Sequence, residues 1–196
     1  MEALGLDGAD EWNACFHVCN KRMKLDLYRA MGFTPQERAF IQETFADKKG
    51  WRSLGHVCVA APPGTEMDEI GFEIRLCDDK FMDSKFPHVH LEGLSVCDMG
   101  ATPKQIYLRR SNWDSVPPAS GYKTLAAYRQ YLVNHETGHA IELRDHEDCK
   151  GSGLPAPVMM QQTKGTGECY PYPWFQLTEA AASAADEPET EQGSDR

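Results

Sequence analysis

The run Asn134-His135-Glu136-Thr137-Gly138-His139 limits what this chain can become more than any other stretch. It contains His-Glu-x-x-His. On a helix, residues four apart stand one above the other on one face. His135 and His139 can then offer two imidazole nitrogens to one metal ion, with Glu136 beside them to take a proton from water. Leu125, Ala126, Tyr128 and Leu132 precede them at helical spacing, so a helix is predicted from about Thr124 to Leu143. Gly138 inside that helix costs about 1 kcal/mol relative to alanine, which points to a close-packing reason. Zinc suits this donor set, because it accepts imidazole and keeps one position open for water in catalytic sites. His146 is the nearest good candidate for a third ligand. The competing reading is a surface helix whose histidines are solvated or face its C-terminal dipole. The helical spacing, the glycine and the third histidine weigh against it.

A chain of 196 residues is long enough for one well-buried core and is read as one domain with ragged ends. Its net charge of -10 argues against nucleic acid as a partner, since a phosphate backbone needs a basic surface. No apolar run approaches the length of a membrane helix. Residues Met1 to Asp7 have neither a basic start nor an apolar core, so no secretory signal is read there. The expectation is a cytosolic protein or a mature, trimmed domain. Seven cysteines stand at 15, 19, 58, 77, 97, 149 and 169. Buried reduced thiols are one reading. The other is disulfide bonding among Cys97, Cys149 and Cys169, which flank the proposed site where loops would benefit from a tie.

In chain order, residues 11–31 are read as a helix ended by Gly32. Thr34-Pro35-Gln36-Glu37 opens a second helix with a capping box, Phe40, Ile41 and Phe45 forming its buried stripe. Strands are predicted over Trp51–Ala61, centred on His56–Ala60, over Phe72–Leu76 as a half-buried strand, at Leu94–Cys97 and at Gln105–Arg109, with a loop over Ser115–Gly121. His88 and His90 share a strand face and could bind metal, but a solvated loop pair is the preferred reading. From Thr178 the composition shifts to alanine, serine and acids, an acidic disordered tail. The domain plan is therefore an extension over 1–34, a catalytic domain over 35–177 and a tail over 178–196.

Tyr128 to His139 resembles the signature helix of an actinobacterial-type family of metzincin-like zinc metallopeptidases, whose members are secreted or membrane-anchored. Further matches follow in order: Lys49-Gly50-Trp51, Leu94–Cys97, His146-x-x-Cys149, Gly153–Thr163, Cys169 and Pro173-Trp174. The likeness covers roughly residues 35 to 175. It implies an α+β, metzincin-like zinc peptidase fold: a twisted mixed sheet, a long active-site helix, a sharp turn to the third ligand and a methionine-bearing turn beneath the metal. Met159 takes the position of that methionine, with Met160 adjacent. The likeness also points to an extracellular or cell-surface location. The chain departs from the family at one place. The family's third ligand is a histidine ten residues after the first, a count that lands on Asp145, and the helix-breaking glycine position holds Glu142. Either the turn has one extra residue and His146 is the ligand, the favoured choice, or Asp145 binds through oxygen.

The activity this implies is hydrolysis of a peptide bond by a monomer holding one zinc ion, with Glu136 as general base. The substrate would lie extended along a sheet edge, for which the strand at Gln105–Arg109 is the candidate. Tyr170 or Tyr172 is a candidate to steady the oxyanion through its phenol, although core or rim packing is the commoner role. The alternative is a catalytically inactive, zinc-stabilised binding module of the same fold.

Overall fold

In the computed structural model the described residues are 24–87, 93–141, 143 and 145–175. They form a mixed α+β arrangement around a five-stranded sheet of order β2-β1-β3-β5-β4. The strands are β1 (Lys24–Met31), β2 (His56–Ala60), β3 (Phe72–Cys77), β4 (Val96–Asp98) and β5 (Lys104–Arg109). The first three pairings are parallel; β4 runs antiparallel along the outside of β5. Helix α1 (Pro35–Ala46) carries the chain from β1 to β2, the crossover that a parallel pair requires. Helices α2 (Asp79–Lys85), α3 (Arg110–Asp114) and α4 (Leu125–Ala140) follow.

The helix read over residues 11–31 is corrected in its second half: Lys24–Met31 is a strand, paired on both sides by β2 and β3. The part before Lys24 lies outside the described residues. The alternation Lys24-Leu25-Asp26-Leu27 already has the period of a strand. Its polarity is inverted, because Asp26 and Tyr28 are buried while Leu25 faces solvent. Lys24–Met31, within the segment read as an extension over 1–34, is thus an interior strand of the sheet. Trp51–Leu54 is a short 3₁₀ turn ahead of β2; α3 ends just before the predicted loop, which contains a 3₁₀ turn at Pro118–Ser120.

The predicted capping box is present: Thr34 Oγ1 accepts from Glu37 N at 3.2 Å, and Glu37 Oε2 accepts from Thr34 N at 2.7 Å. One face of the sheet packs Tyr28, Phe72, Ile74, Ile106 and Leu108 against Ile41 and Phe45 of α1 and Tyr128 and Leu132 of α4. Period-two alternation sends Glu73, Arg75, Tyr107 and Arg109 to the other face. There Glu73, expected on a half-exposed face, is buried between Arg75 at 2.6 Å and Arg29 at 3.6 Å. The two arginines, their side chains 36% and 34% exposed, lie between Glu73 and solvent on that face. Replacing Thr34 with alanine should lower the unfolding free energy by about 1 kcal/mol, read from urea denaturation.

Candidate metal centre

Helix α4 starts where Thr124 Oγ1 accepts from Ala127 N at 3.2 Å. It ends as Ile141 N bonds Thr137 O and Leu143 N bonds Gly138 O, both at 2.9 Å. Every residue from Tyr131 to Ala140 is buried. The C-terminal half of α4 therefore sinks its polar side as well as its apolar side into the protein, and each buried polar group needs a partner. Asn134 donates from Nδ2 to Pro173 O at 2.9 Å, and its carbonyl accepts from Trp51 Nε1 at 3.2 Å.

The two histidines are held the same way. His135 Nδ1 lies 2.9 Å from Val158 O, and His139 Nδ1 lies 2.7 Å from Leu143 O. A carbonyl only accepts, so Nδ1 carries the proton in both rings and Nε2 is left with its lone pair. The chain after α4 brings His146 to the same place, its Nε2 3.2 Å from that of His139. The three rings form a near-equilateral triangle, with centroids 5.0, 5.0 and 5.3 Å apart. Their candidate ligand atoms lie within 4.8 Å of one another, close enough to hold a metal ion. Burial lowers the pKa of His135 to about 3 and lowers those of His139 and His146, which keeps the rings neutral. Glu136 is 5% exposed, and burial raises its pKa to about 8.

The glycine in the helix has the close-packing reason that its helix cost implied. A Cβ at Gly138 would stand 2.3 Å from Met159 Sδ and 3.1 Å from Trp51 Cζ2. Met159 is buried against this notch, whereas Met160 is half-buried and uses its backbone, its N–H bonding Pro157 O at 3.0 Å. Of the two methionines, Met159 lies beneath the histidine helix. Asp145 is exposed beside His146 and acts on it only through its charge, so His146 is the member of the cluster.

Cys149 and Cys169 are joined in a disulfide, while Cys97 is a free thiol on β4. Burial and then the charge of Glu136 push the Cys97 thiol up to about 12. Tyr170 and Tyr172 pack ring to ring at 6.2 Å, and Asp47 at the end of α1 acts on Tyr172. Neither makes a hydrogen bond or ring contact with the three histidines among the described residues. The phenol that does meet the cluster is Tyr131, whose ring is 5.2 Å from that of His135. Sequence reading missed Tyr131, although it stands four residues before His135 and so on the same helix face. It included Gln162 in the run that carries the resemblance but gave it no role. The strand at Gln105–Arg109 is not the sheet edge: β4 covers it, and Val96–Asp98 is the outer strand. His88 and His90 lie outside the described residues.

Fold and site together define a mixed α+β protein with a three-histidine cluster, two of its members on α4, able to hold a metal ion. The chain belongs to the family described as Protein of unknown function (DUF3152), whose model matches residues 24–185. No curated protein and no solved structure matches it. Among the described residues, no helix is long and apolar enough to cross a membrane.

Two outcomes follow from this packing. Gly138→Ala should destabilise by roughly 1–3 kcal/mol through overpacking, despite alanine's better helix propensity. In a Met159→Ala background the same change should cost nothing or stabilise by up to about 1 kcal/mol, which a urea double-mutant cycle reads directly. The second concerns pH in the metal-free protein. His135 has a folded pKa of about 3 against about 6.5 unfolded, so the unfolded chain binds the extra proton between those values. Stability should be full above about pH 6.5 and fall as pH drops from there toward 3. His135→Gln should flatten that slope in thermal melts across pH.

Proposed function

We propose that this protein is a zinc-dependent metallopeptidase of metzincin-like fold that hydrolyses a peptide bond with Glu136 as general base. The observation that carries the reading is the convergence of three neutral imidazoles, two of them tied through Nδ1, beside a buried carboxylate. The donor set fits zinc. Tetrahedral zinc with nitrogen ligands at ~2.0–2.1 Å sets neighbouring nitrogens roughly 3.3 Å apart; the Nε2 atoms of His139 and His146 are 3.2 Å apart. His135, His139 and His146 would hold the ion and leave a further position for water or substrate.

When bound, zinc supplies Lewis acidity, polarising the scissile carbonyl and making water easier to deprotonate. The rest is the chain's own work. A carboxylate oxygen of Glu136 takes the proton from the attacking water and returns it to the amine nitrogen as the C–N bond breaks. Burial makes Glu136 a better proton holder than a solvated carboxylate, as that shuttle requires. Met159 under Gly138 supports the metzincin-like reading, a thioether floor that seats the histidine helix without bonding the ion. The outer side of β4 suits an extended peptide added as one more strand. Helix α4, which carries Glu136, packs against β4, so a peptide there would run alongside the helix of the base.

Purified protein should contain about one equivalent of zinc. Glu136→Gln should keep the zinc and lose hydrolysis of a peptide-library substrate by at least ~100-fold. Less than half an equivalent of zinc in the parent sinks the metal reading. Undiminished cleavage by the variant sinks the role of Glu136, and a parent that retains a peptide without cleaving it is a binding module.

A further inference from the structure

One buried side chain behind the metal centre makes more hydrogen bonds than its place in a short turn requires. Gln162 is fully buried. Its Nε2 donates to Pro157 O at 2.9 Å and to Tyr172 O at 2.8 Å. Its Oε1 accepts from Tyr122 OH at 2.8 Å and from Tyr172 N at 3.0 Å. Its backbone N–H lies 2.7 Å from Met160 O and 2.9 Å from Tyr131 OH, and that hydroxyl donates in turn to Met160 O at 3.1 Å. Side chain and backbone of one residue thus grip both ends of the turn Pro157-Val158-Met159-Met160.

Between those ends lie the two groups that seat the histidines. Val158 O receives the Nδ1 proton of His135, and Met159 fills the notch at Gly138. The other arm of the clasp reaches α4 through Tyr131, whose ring lies against His135. We propose that Gln162 is a positioning residue for the metal centre: by clasping the 157–160 turn and tying it to Tyr131, it sets the direction of Val158 O and so of the His135 ring. The inference rests on the zinc reading above. A carbonyl that turns by a few tenths of an ångström turns the imidazole bonded to it, and partners one step behind the ligands govern metal affinity in this way.

The test uses the full chain and three variants, with zinc affinity by competition against a chelating dye and the visible absorption of the Co2+-loaded protein as readouts. Gln162→Met keeps the volume and removes the clasp. Tyr131→Phe keeps the ring on His135 and removes only the hydroxyl. Tyr122→Phe removes one of the two bonds to Gln162 Oε1 and leaves the Nε2 bond to Pro157 O in place. The expected result is zinc affinity weaker by about 10–100-fold in Gln162→Met, a smaller loss in Tyr131→Phe, and a shifted Co2+ spectrum in both. Tyr122→Phe should lower the melting temperature while keeping the parent affinity and spectrum. The proposal is overturned if Gln162→Met and Tyr131→Phe melt earlier but bind zinc and colour with Co2+ as the parent does. If Gln162→Met does not fold, the Tyr131→Phe result decides alone. A parent that binds neither zinc nor Co2+ overturns the zinc reading itself, and this proposal with it.

Discussion

Two backbone carbonyls decide what the site can be. Val158 O and Leu143 O each take the Nδ1 proton of one histidine, so Nε2 faces inward with a lone pair in both rings. Without those acceptors an imidazole on a helix could rotate or switch tautomer, and helical spacing alone would not make a binding point. The carbonyls come from different places. Leu143 lies just past the end of α4, whereas Val158 is in a turn twenty-three residues from His135 along the chain. The orientation of the first ligand is therefore a long-range property, dependent on how the 157–160 turn docks against the helix.

That docking is the same packing that closes the core. Met159 can lie against α4 only because residue 138 has no side chain, and Trp51 fills the space beside it while bonding Asn134 O. Asn134 in turn holds Pro173 O, which brings in the last described segment. The buried half of α4 thus trades ordinary helix stability for contact on every side. Its polar residues are tolerable because most of them have partners. The side-chain oxygens Asn134 Oδ1 and Thr137 Oγ1 are exceptions, buried with no hydrogen bond among the described residues.

The parts of this arrangement that could be read from the sequence are those set by local rules. The α1 capping box, the extent of α4 and the meaning of Gly138 follow from spacing and propensity over a few residues. Strand Lys24–Met31 escaped because its buried positions are Asp26 and Tyr28, so a reading keyed to leucine and methionine misplaces its inner face. Sheet order escaped for a similar reason. A three-residue strand, Val96–Asp98, pairs with Gln105–Tyr107 of β5, and nothing in so short a run announces which strand is outermost. The role of Gln162 was invisible because neither Gln161 nor Gln162 stands in a pattern that marks it as buried; its importance comes from acceptors and donors that folding brings to it.

The third ligand is held by different means from the first two. His146 is exposed and sits on irregular chain, where no helix fixes its backbone. What limits its wandering is nearby: Glu147 N bonds Met159 O at 3.2 Å, and Cys149 is bonded to Cys169. A cross-link that closes a loop of about this length removes roughly 3 kcal/mol of conformational freedom from the unfolded chain. Both restraints lead back to the segment that follows His146 and contains the 157–160 turn. So the loop ligand and the helix ligand His135 are referred to one element, the loop through Met159 O and the helix through Val158 O. A disturbance of that turn would move two of the three nitrogens at once, whereas His139, held by Leu143 O at the end of its own helix, would stay.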